Sequence, residues 1–153
     1  MKLQKATRFA LLATLELARD PARQLSVAEI AEMHGISANH LAKVLRDLGR
    51  AGLVEAVRGA KGGYRFSGNA KRTSLYDVIK LFGDIDADGD DGSEANNDTD
   101  MGRALGRVTD EIDEIAVATL KSISLATLIK SLDRGRAGAA APQEPVRAAP
   151  TFP

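Results

Sequence analysis

The sequence contains no cysteine and no tryptophan, and only 4% of its 153 residues are aromatic. The absence of cysteine excludes disulfides, thiolate metal sites and thiol chemistry. The scarcity of aromatic side chains leaves few surfaces on which bases or sugars could stack. No apolar run approaches the roughly 18 residues of a membrane-spanning helix. Glu16 and Arg19 interrupt the apolar N-terminal stretch, which also lacks a signal-peptide cleavage site. We therefore expect a soluble, cytoplasmic protein without a membrane partner.

The residue sets that catalysis requires are also missing. The two histidines, His34 and His40, lie six positions apart across a predicted turn, without a plausible carboxylate or cysteine set. His34 is expected to close a helix C-terminus, where a cation is favourable. We therefore predict that the protein is not an enzyme, with no cofactor and no catalytic or metal-binding residue.

The formal net charge is zero, but the charges are unevenly distributed along the chain. Residues 1–83 carry 14 Lys and Arg against 7 Asp and Glu, whereas residues 84–133 carry 4 against 13. A basic half of a chain indicates a polyanionic partner. Chance segregation of the charges is the alternative.

Two short helices joined by a glycine-containing turn are predicted in the basic half, after a first helix over residues 5–19. Ser26 and Glu29 have the spacing of a capping box, and the helix that they open ends at Gly35. Ser37 is placed to cap the next helix. The apolar residues of that helix recur at three- and four-residue steps and form a stripe for burial: Leu41, Val44, Leu45 and Leu48. This arrangement is typical of a helix-turn-helix motif.

The segment RGAKGGYRF, residues 58–66, follows a predicted strand and ends in a second one. It lacks the Lys-Ser/Thr pair of a phosphate-binding P-loop and the GxGxxG pattern of a dinucleotide loop, and no helix follows it. Its glycines permit positive φ angles and bring backbone amides close to a phosphate. A helix-turn-helix followed by this β-hairpin is predicted to form a winged helix.

The exposed face of the helix that begins after Ser37 and the tip of the hairpin together form a candidate DNA-binding surface. N-terminal residues of a recognition helix contact base edges, where Asn suits adenine and Lys suits guanine. The helix start suits a phosphate, and Arg58 is long enough to enter a minor groove. A solvated helix face and an ordinary basic hairpin are the alternatives. The candidate residues are Ser37, Asn39, His40, Lys43, Arg46, Arg50, Arg58, Gly59 and Lys61.

The second half of the chain begins with an acidic stretch, residues 84–100, which contains no lysine or arginine. Its DIDADGD segment matches the opening of an EF-hand calcium loop, but Ala95 stands where the bidentate glutamate belongs. A solvated loop is favoured over weak cation binding.

The amphipathic helix that follows, to about residue 122, is expected to pack against a second subunit. The alternative is that it packs only on its own domain. Ser124 caps a short last helix.

The sequence ISANHLAKVLRDLGRAGLVEAVRGAKGGYRF strongly resembles the helix-turn-helix and wing of the Rrf-two family of bacterial transcription regulators, which includes the iron–sulfur cluster regulator and the nitric-oxide-sensing repressor. The resemblance covers about residues 1–132. It implies a winged-helix homodimer, with the helix near residues 101–122 as the interface, on a partly palindromic operator. It also implies that Ser37, Asn39, His40 and Lys43 face the major groove, and that Arg58, Gly59 and Lys61 approach the minor groove or the backbone.

The chain departs from this family at the cluster site. Cluster-bearing members have three cysteines in the loop before the dimerisation helix, and residues 83–100 contain none. The acidic ligand that nitric-oxide sensors use in the first helix falls at Arg8. The resemblance is therefore to a regulator that cannot hold the usual cluster and either senses another effector, of unknown chemistry, or represses constitutively.

The expected fold class is mainly α with a small β-hairpin wing, that is, a winged helix-turn-helix plus a long dimerisation helix. We expect a DNA-binding domain over residues 1–83, an acidic flexible loop over 84–100, a dimerisation helix and a short C-terminal helix over 101–133, and a disordered tail over 134–153. The predicted function is sequence-specific transcriptional regulation, as a repressor that binds double-stranded DNA as a homodimer. The alternative is a winged-helix module that binds another protein and not DNA.

Overall fold

A computed structural model of the protein describes residues 3–83 and 99–139. Most of the predicted acidic loop, including the EF-hand-like segment, and the tail from residue 140 lie outside these ranges. The described elements are α1 (Lys5–Arg19), α2 (Val27–His34), α3 (Ala38–Arg50), β1 (Val54–Val57), β2 (Gly63–Phe66), α4 (Leu75–Ile79), α5 (Asp100–Ser122) and α6 (Leu125–Ala139). The mainly helical fold with a hairpin after the helix-turn-helix confirms the predicted fold class.

The turn between α2 and α3 is set by local sequence. Ser26 Oγ accepts a hydrogen bond from the Glu29 N–H at 3.1 Å, and the Ser26 N–H donates to Glu29 Oε2 at 2.7 Å, so the predicted capping box is present. Gly35 ends α2 with a φ of 61°, in the left-handed region that favours glycine. Ser37 occupies the N-cap position of α3, but its side chain makes no capping hydrogen bond.

The hydrophobic core lies between α1, α3, α4 and the hairpin. All four apolar residues of the predicted α3 stripe are buried, and Leu41, Leu45 and Leu48 have no exposed surface. They pack with Leu17 of α1 and Val78 of α4 in one cluster. Because this stripe is buried, the opposite face of α3 is directed to solvent.

The wing is an antiparallel hairpin that is joined to the loop before α2. Its register pairs Val54 with Phe66 and Val57 with Gly63. The Leu25 N–H donates to the Tyr64 carbonyl at 2.9 Å, and the Tyr64 N–H donates to the Leu25 carbonyl at 2.8 Å. This pairing adds a bridge to the hairpin edge and fixes the wing relative to the start of α2.

Backbone hydrogen bonds connect the last two helices to the start of α4. The Leu75 N–H donates to the Ile123 carbonyl, and the Leu125 N–H donates to the Thr73 carbonyl, both at 2.9 Å. Helix α6 continues to Ala139, beyond the expected start of the tail at residue 134. In the two described ranges, no helix is long and apolar enough to cross a membrane.

Candidate nucleic-acid interface

The polar face of α3 is available for a ligand. Side chains on this face are exposed while Leu41, Val44, Leu45 and Leu48 are buried beneath them. None of the exposed candidates in the helix or its cap is large and apolar. The exposed candidates are Ser37, Asn39, His40, Lys43, Arg46 and Arg50.

The first turn of α3 suits an anion. It contains no acidic residue, and the Ser37 hydroxyl makes no hydrogen bond to the helix backbone. The first N–H groups of a helix have no partner within it, and they carry the positive end of the helix dipole. A phosphate at this position could accept hydrogen bonds from both the backbone and the Ser37 hydroxyl. The same turn exposes Asn39 and His40.

At the other end of α3, one basic candidate has an acidic neighbour. Arg50 Nη1 lies 3.3 Å from Asp47 Oδ1, and the Arg50 side chain is 74% exposed. An exposed pair of this kind contributes about 0.2–1 kcal/mol. Arg50 can therefore leave Asp47 and bind a phosphate at little cost in free energy. Arg46 has no ion-pair partner among residues 3–83 and 99–139.

The wing tip is built on glycines and carries two basic side chains. Gly59 has a φ of 135°, in the region that other residues rarely adopt. A Cβ on Gly62 would lie 2.7 Å from the Val57 carbonyl oxygen, so this turn cannot hold a larger residue without moving. Arg58 and Lys61 are exposed on the tip, and no carboxylate of the described segments pairs with either.

A third basic residue of the wing is already paired. Arg65 of β2 forms a cross-strand ion pair with Glu55 of β1. Opposite charges facing each other across strands stabilise the hairpin by about 0.2–1 kcal/mol. Arg65 therefore supports the wing, and only Arg58 and Lys61 remain as its candidates for DNA.

The two histidines have different surroundings. His34 is the last residue of α2, as expected, and its Nε2 is buried 3.9 Å from Glu16 Oε2. His40 lies on the exposed face of α3. Among those residues, no group of three or more His, Cys, Asp or Glu could hold a metal ion.

Sequence reasoning missed the contact between the wing and the loop before α2. Gln24 and Ser26 of that loop line a hollow together with Lys61 and Gly62 of the wing tip. The Glu29 carboxylate borders the same hollow, and its hydrogen bond from the Ser26 N–H lowers the pKa of Glu29 below its ordinary value. No sequence signal announces the Leu25–Tyr64 pairing, because the two residues are far apart in the chain.

Comparisons with known proteins support the same fold and class. Residues 3–131 match the family model described as Rrf2, iron-dependent transcriptional regulator. BadM of Rhodopseudomonas palustris, provisionally described as an HTH-type transcriptional regulator, is 52% identical over 136 residues, which cover 89% of this chain and 86% of that protein. The structure of T. potens IscR is similar with a TM-score of 0.65 at 26% identity, over 94% of each chain. CymR, the global cysteine regulator of B. subtilis, has a TM-score of 0.68 at 24% identity, over 86% of this chain and 98% of that one, and shows the fold alone.

The residues of this chain do not fit the iron–sulfur cluster that the resemblance assigns to cluster-bearing members of the family. The whole sequence contains no cysteine. Arg8, at the position where the resemblance places the acidic ligand of the first helix, is an exposed cation on α1. A cationic side chain cannot donate an electron pair to iron. No step of the function is therefore assigned to a cluster.

Proposed function

The chain belongs to the Rrf2 family of transcriptional regulators, and from this premise we propose that it is a sequence-specific repressor that binds a partly palindromic operator as a homodimer, without an iron–sulfur cluster. Membership of this family makes the chain a transcriptional regulator and not an enzyme.

The observation that carries the proposal is the surface formed by α3 and the wing. A buried stripe fixes the rotation of α3, and a backbone pairing fixes the wing beside the start of α2. Asn39 and Lys43 are proposed to read base edges in the major groove, where Asn suits adenine and Lys suits guanine. Ser37 and the first turn of α3 would hold a phosphate, which positions the helix without reading sequence.

The remaining basic residues are proposed to act on phosphates and on the potential of the grooves. Arg58 at the wing tip would enter the minor groove, whose narrow segments attract guanidinium groups. Lys61 would approach the backbone beside it, close to the turn at Gly59. Arg46 and Arg50 would neutralise phosphates along the far end of α3. Such contacts raise affinity for every sequence and make it dependent on salt.

The proposed dimer rests on the apolar row of α5. None of the 23 residues of this helix is buried. Five of its large apolar residues are 53–81% exposed and are separated alternately by four and three positions: Met101, Leu105, Val108, Ile112 and Ile115. This is the spacing of a coiled-coil seam. The same helix of a second copy offers the complementary row, and residues 101–133 would then form the dimerisation unit beside a DNA-binding domain over residues 1–83.

The division of roles can be tested by measuring the DNA affinity of variants with fluorescence anisotropy. Two duplexes are compared: an operator enriched from a random DNA pool and a duplex with the same bases in scrambled order. Arg58→Ala and Lys61→Ala should weaken binding to both duplexes and lower the slope of log affinity against log salt by about one per phosphate contact. Asn39→Ala should cost about 1–3 kcal/mol on the operator alone and relax preference at one base position. Arg136→Ala, which removes an exposed positive charge from the end of α6, outside residues 101–133, is the matched control and should change neither affinity.

The proposal would be wrong if all three variants bound both duplexes as the unsubstituted protein does. The winged helix would then serve a protein partner. That alternative has less support, because the exposed face of α3 presents Asn39, Lys43 and Arg46 and not the apolar side chains that anchor most protein interfaces.

A further inference from the structure

A cavity of about 450 Å³ lies between the start of α1, the middle of α3 and the turn after α4. Its volume falls within the range of small-molecule sites, about 300–1,000 Å³. Gly83 follows the turn after α4, and a Cβ on it would lie 3.6 Å from Gln4 Nε2, so the two chain segments approach closely beside the cavity. The site is thus formed by three segments that are far apart in the sequence.

The wall of the cavity is apolar and continuous with the core. Val44 of α3 is 5% exposed, and Ala6, Phe9 and Phe82 pack against the buried cluster. Phe9 and Phe82 supply two aromatic rings to one site in a protein that has few aromatic residues. Leu81, which is 41% exposed, lies on the outer part of this wall. Such a surface suits the hydrocarbon body of a small molecule.

The same cavity is bordered by basic side chains without carboxylate partners. Lys5 and Lys43 line it together with His40, and among the residues with described positions no acidic group pairs with either lysine. Asp47 is the one carboxylate among the described lining residues, and it lies 3.3 Å from Arg50, which offsets its charge. With respect to the residues that the structure describes, both ammonium groups are therefore open to an anion.

We propose that this cavity binds a small organic carboxylate with an apolar body, and that its occupancy lowers the affinity of the protein for DNA. The body would lie against Phe9, Phe82 and Val44, and the carboxylate would accept hydrogen bonds from Lys5 and Lys43. The inference about binding depends on the cavity alone. The inference about regulation rests on the proposed function, since Lys43 and His40 also belong to the candidate DNA-binding surface.

The regulatory link follows from the shared side chains. A carboxylate that holds Lys43 in the cavity removes one positive charge from the DNA-facing side of α3. Coupling between two ligands is reciprocal, so DNA must weaken carboxylate binding by the same factor by which the carboxylate weakens DNA binding. Loss of a single charged contact lowers the affinity for DNA about tenfold, and the decrease is larger where the side chain also turns away from a base.

The test is amide chemical-shift mapping on the full-length, isotope-labelled protein. The probes are phenylpropionate and octanoate at millimolar concentration, with phenylpropanol, octanol, phenylpropylamine and octylamine as probes of the same skeleton without the negative charge. The carboxylates should shift the amides of Ala6, Phe9, Val44 and Phe82, and the amines should not. Absence of these shifts with both carboxylates, or equal shifts with the alcohols and amines, would overturn the inference of an anion site.

Variants then separate the two sites. Lys5→Gln removes a cavity charge outside the DNA-binding candidates, so it should weaken carboxylate binding by about tenfold or more while DNA affinity stays unchanged. Ala6→Leu extends a larger side chain into the cavity from its wall and should weaken carboxylate binding by occupying space, without a change of charge. Arg136→Gln, which removes the same positive charge outside the cavity and outside residues 101–133, is the control. If Lys5→Gln bound the carboxylates as tightly as the unsubstituted protein, the cavity assignment would be wrong.

The regulatory part has its own readout. DNA affinity is measured by anisotropy on the same preparation, first without a carboxylate and then with it. DNA binding that weakens with octanoate in the unsubstituted protein, and weakens less in Ala6→Leu, supports the inference, and DNA binding that octanoate leaves unchanged contradicts it. A protein that binds the carboxylates but no DNA at all would retain the cavity site and refute the proposed function instead.

Discussion

Ile112→Ala should weaken the proposed dimer without unfolding α5. The Ile112 side chain is 58% exposed in the single chain, near the middle of the apolar row on this helix. Alanine has the highest helix propensity of all residues, so the substitution preserves the helix and removes only apolar surface. The change therefore reports on the seam between two subunits.

The magnitude follows from the surface that remains to be covered. Full burial of an isoleucine side chain stabilises by about 1.5–3 kcal/mol, and the exposed 58% of Ile112 would be covered in the dimer. Alanine retains part of this surface, so the loss over two subunits amounts to about 1.5–2.5 kcal/mol. The dimer dissociation constant should rise by roughly 10- to 70-fold.

Sedimentation equilibrium over a range of protein concentrations measures this constant directly, and circular dichroism confirms that helix content is unchanged. Met33→Ala is the matched control, because Met33 is 47% exposed and lies on α2, away from the apolar row. It should leave the constant unaltered. A monomeric unsubstituted protein, or an Ile112→Ala dimer as tight as the original, would refute the assignment of α5 as the interface.

Three further predictions concern the wing, a helix cap and iron. Gly63→Ala should destabilise the fold by about 1–3 kcal/mol in urea denaturation, because the new Cβ would lie 2.5 Å from the Leu25 carbonyl oxygen. Gly135→Ala is the control, because a Cβ at this position of α6 would meet no atom within 4 Å, and it should be neutral or stabilising. The hydrogen bond from the Ser74 N–H lowers the pKa of Asp77 in the folded protein. The ionised Asp77 carboxylate therefore stabilises the fold above its unfolded pKa of about 3.9, and this stabilisation is lost as the pH falls through the lower folded pKa. In unfolding experiments over a pH series, Asp77→Asn should lose this acid dependence. Chelation of iron should leave DNA affinity unchanged in anisotropy, because the sequence has no cysteine.

The helix-turn-helix could be predicted from sequence because its determinants are local. The capping box at Ser26 and the left-handed Gly35 act within one turn of the helix that they bound, and the α3 stripe requires only its own periodicity. Ser37 shows the limit of such reasoning. Its position as N-cap is correct, but the capping hydrogen bond is absent, and this leaves the hydroxyl open to a ligand.

Features that depend on distant residues could not be predicted in this way. The Leu25–Tyr64 pairing and the Arg65–Glu55 ion pair require the folded hairpin. The cavity between α1, α3 and α4 arises from the approach of three segments, none of which carries a binding motif. Helix α6 extends to Ala139 because its alanine and arginine residues favour a helix despite two glycines, whereas composition alone suggested an early end. The DNA contacts of the individual candidate residues remain predictions.

Enrichment of bound duplexes from a random DNA pool, with the purified protein as isolated, tests the central claim most directly. The account predicts a two-fold symmetric motif whose half-sites are separated by about one helical turn, or a multiple of it, because a symmetric dimer presents two copies of α3. The motif should be recovered without iron or any added cofactor. Recovery of no motif, or of a single asymmetric site, would contradict a homodimeric operator-binding regulator that works without a cluster.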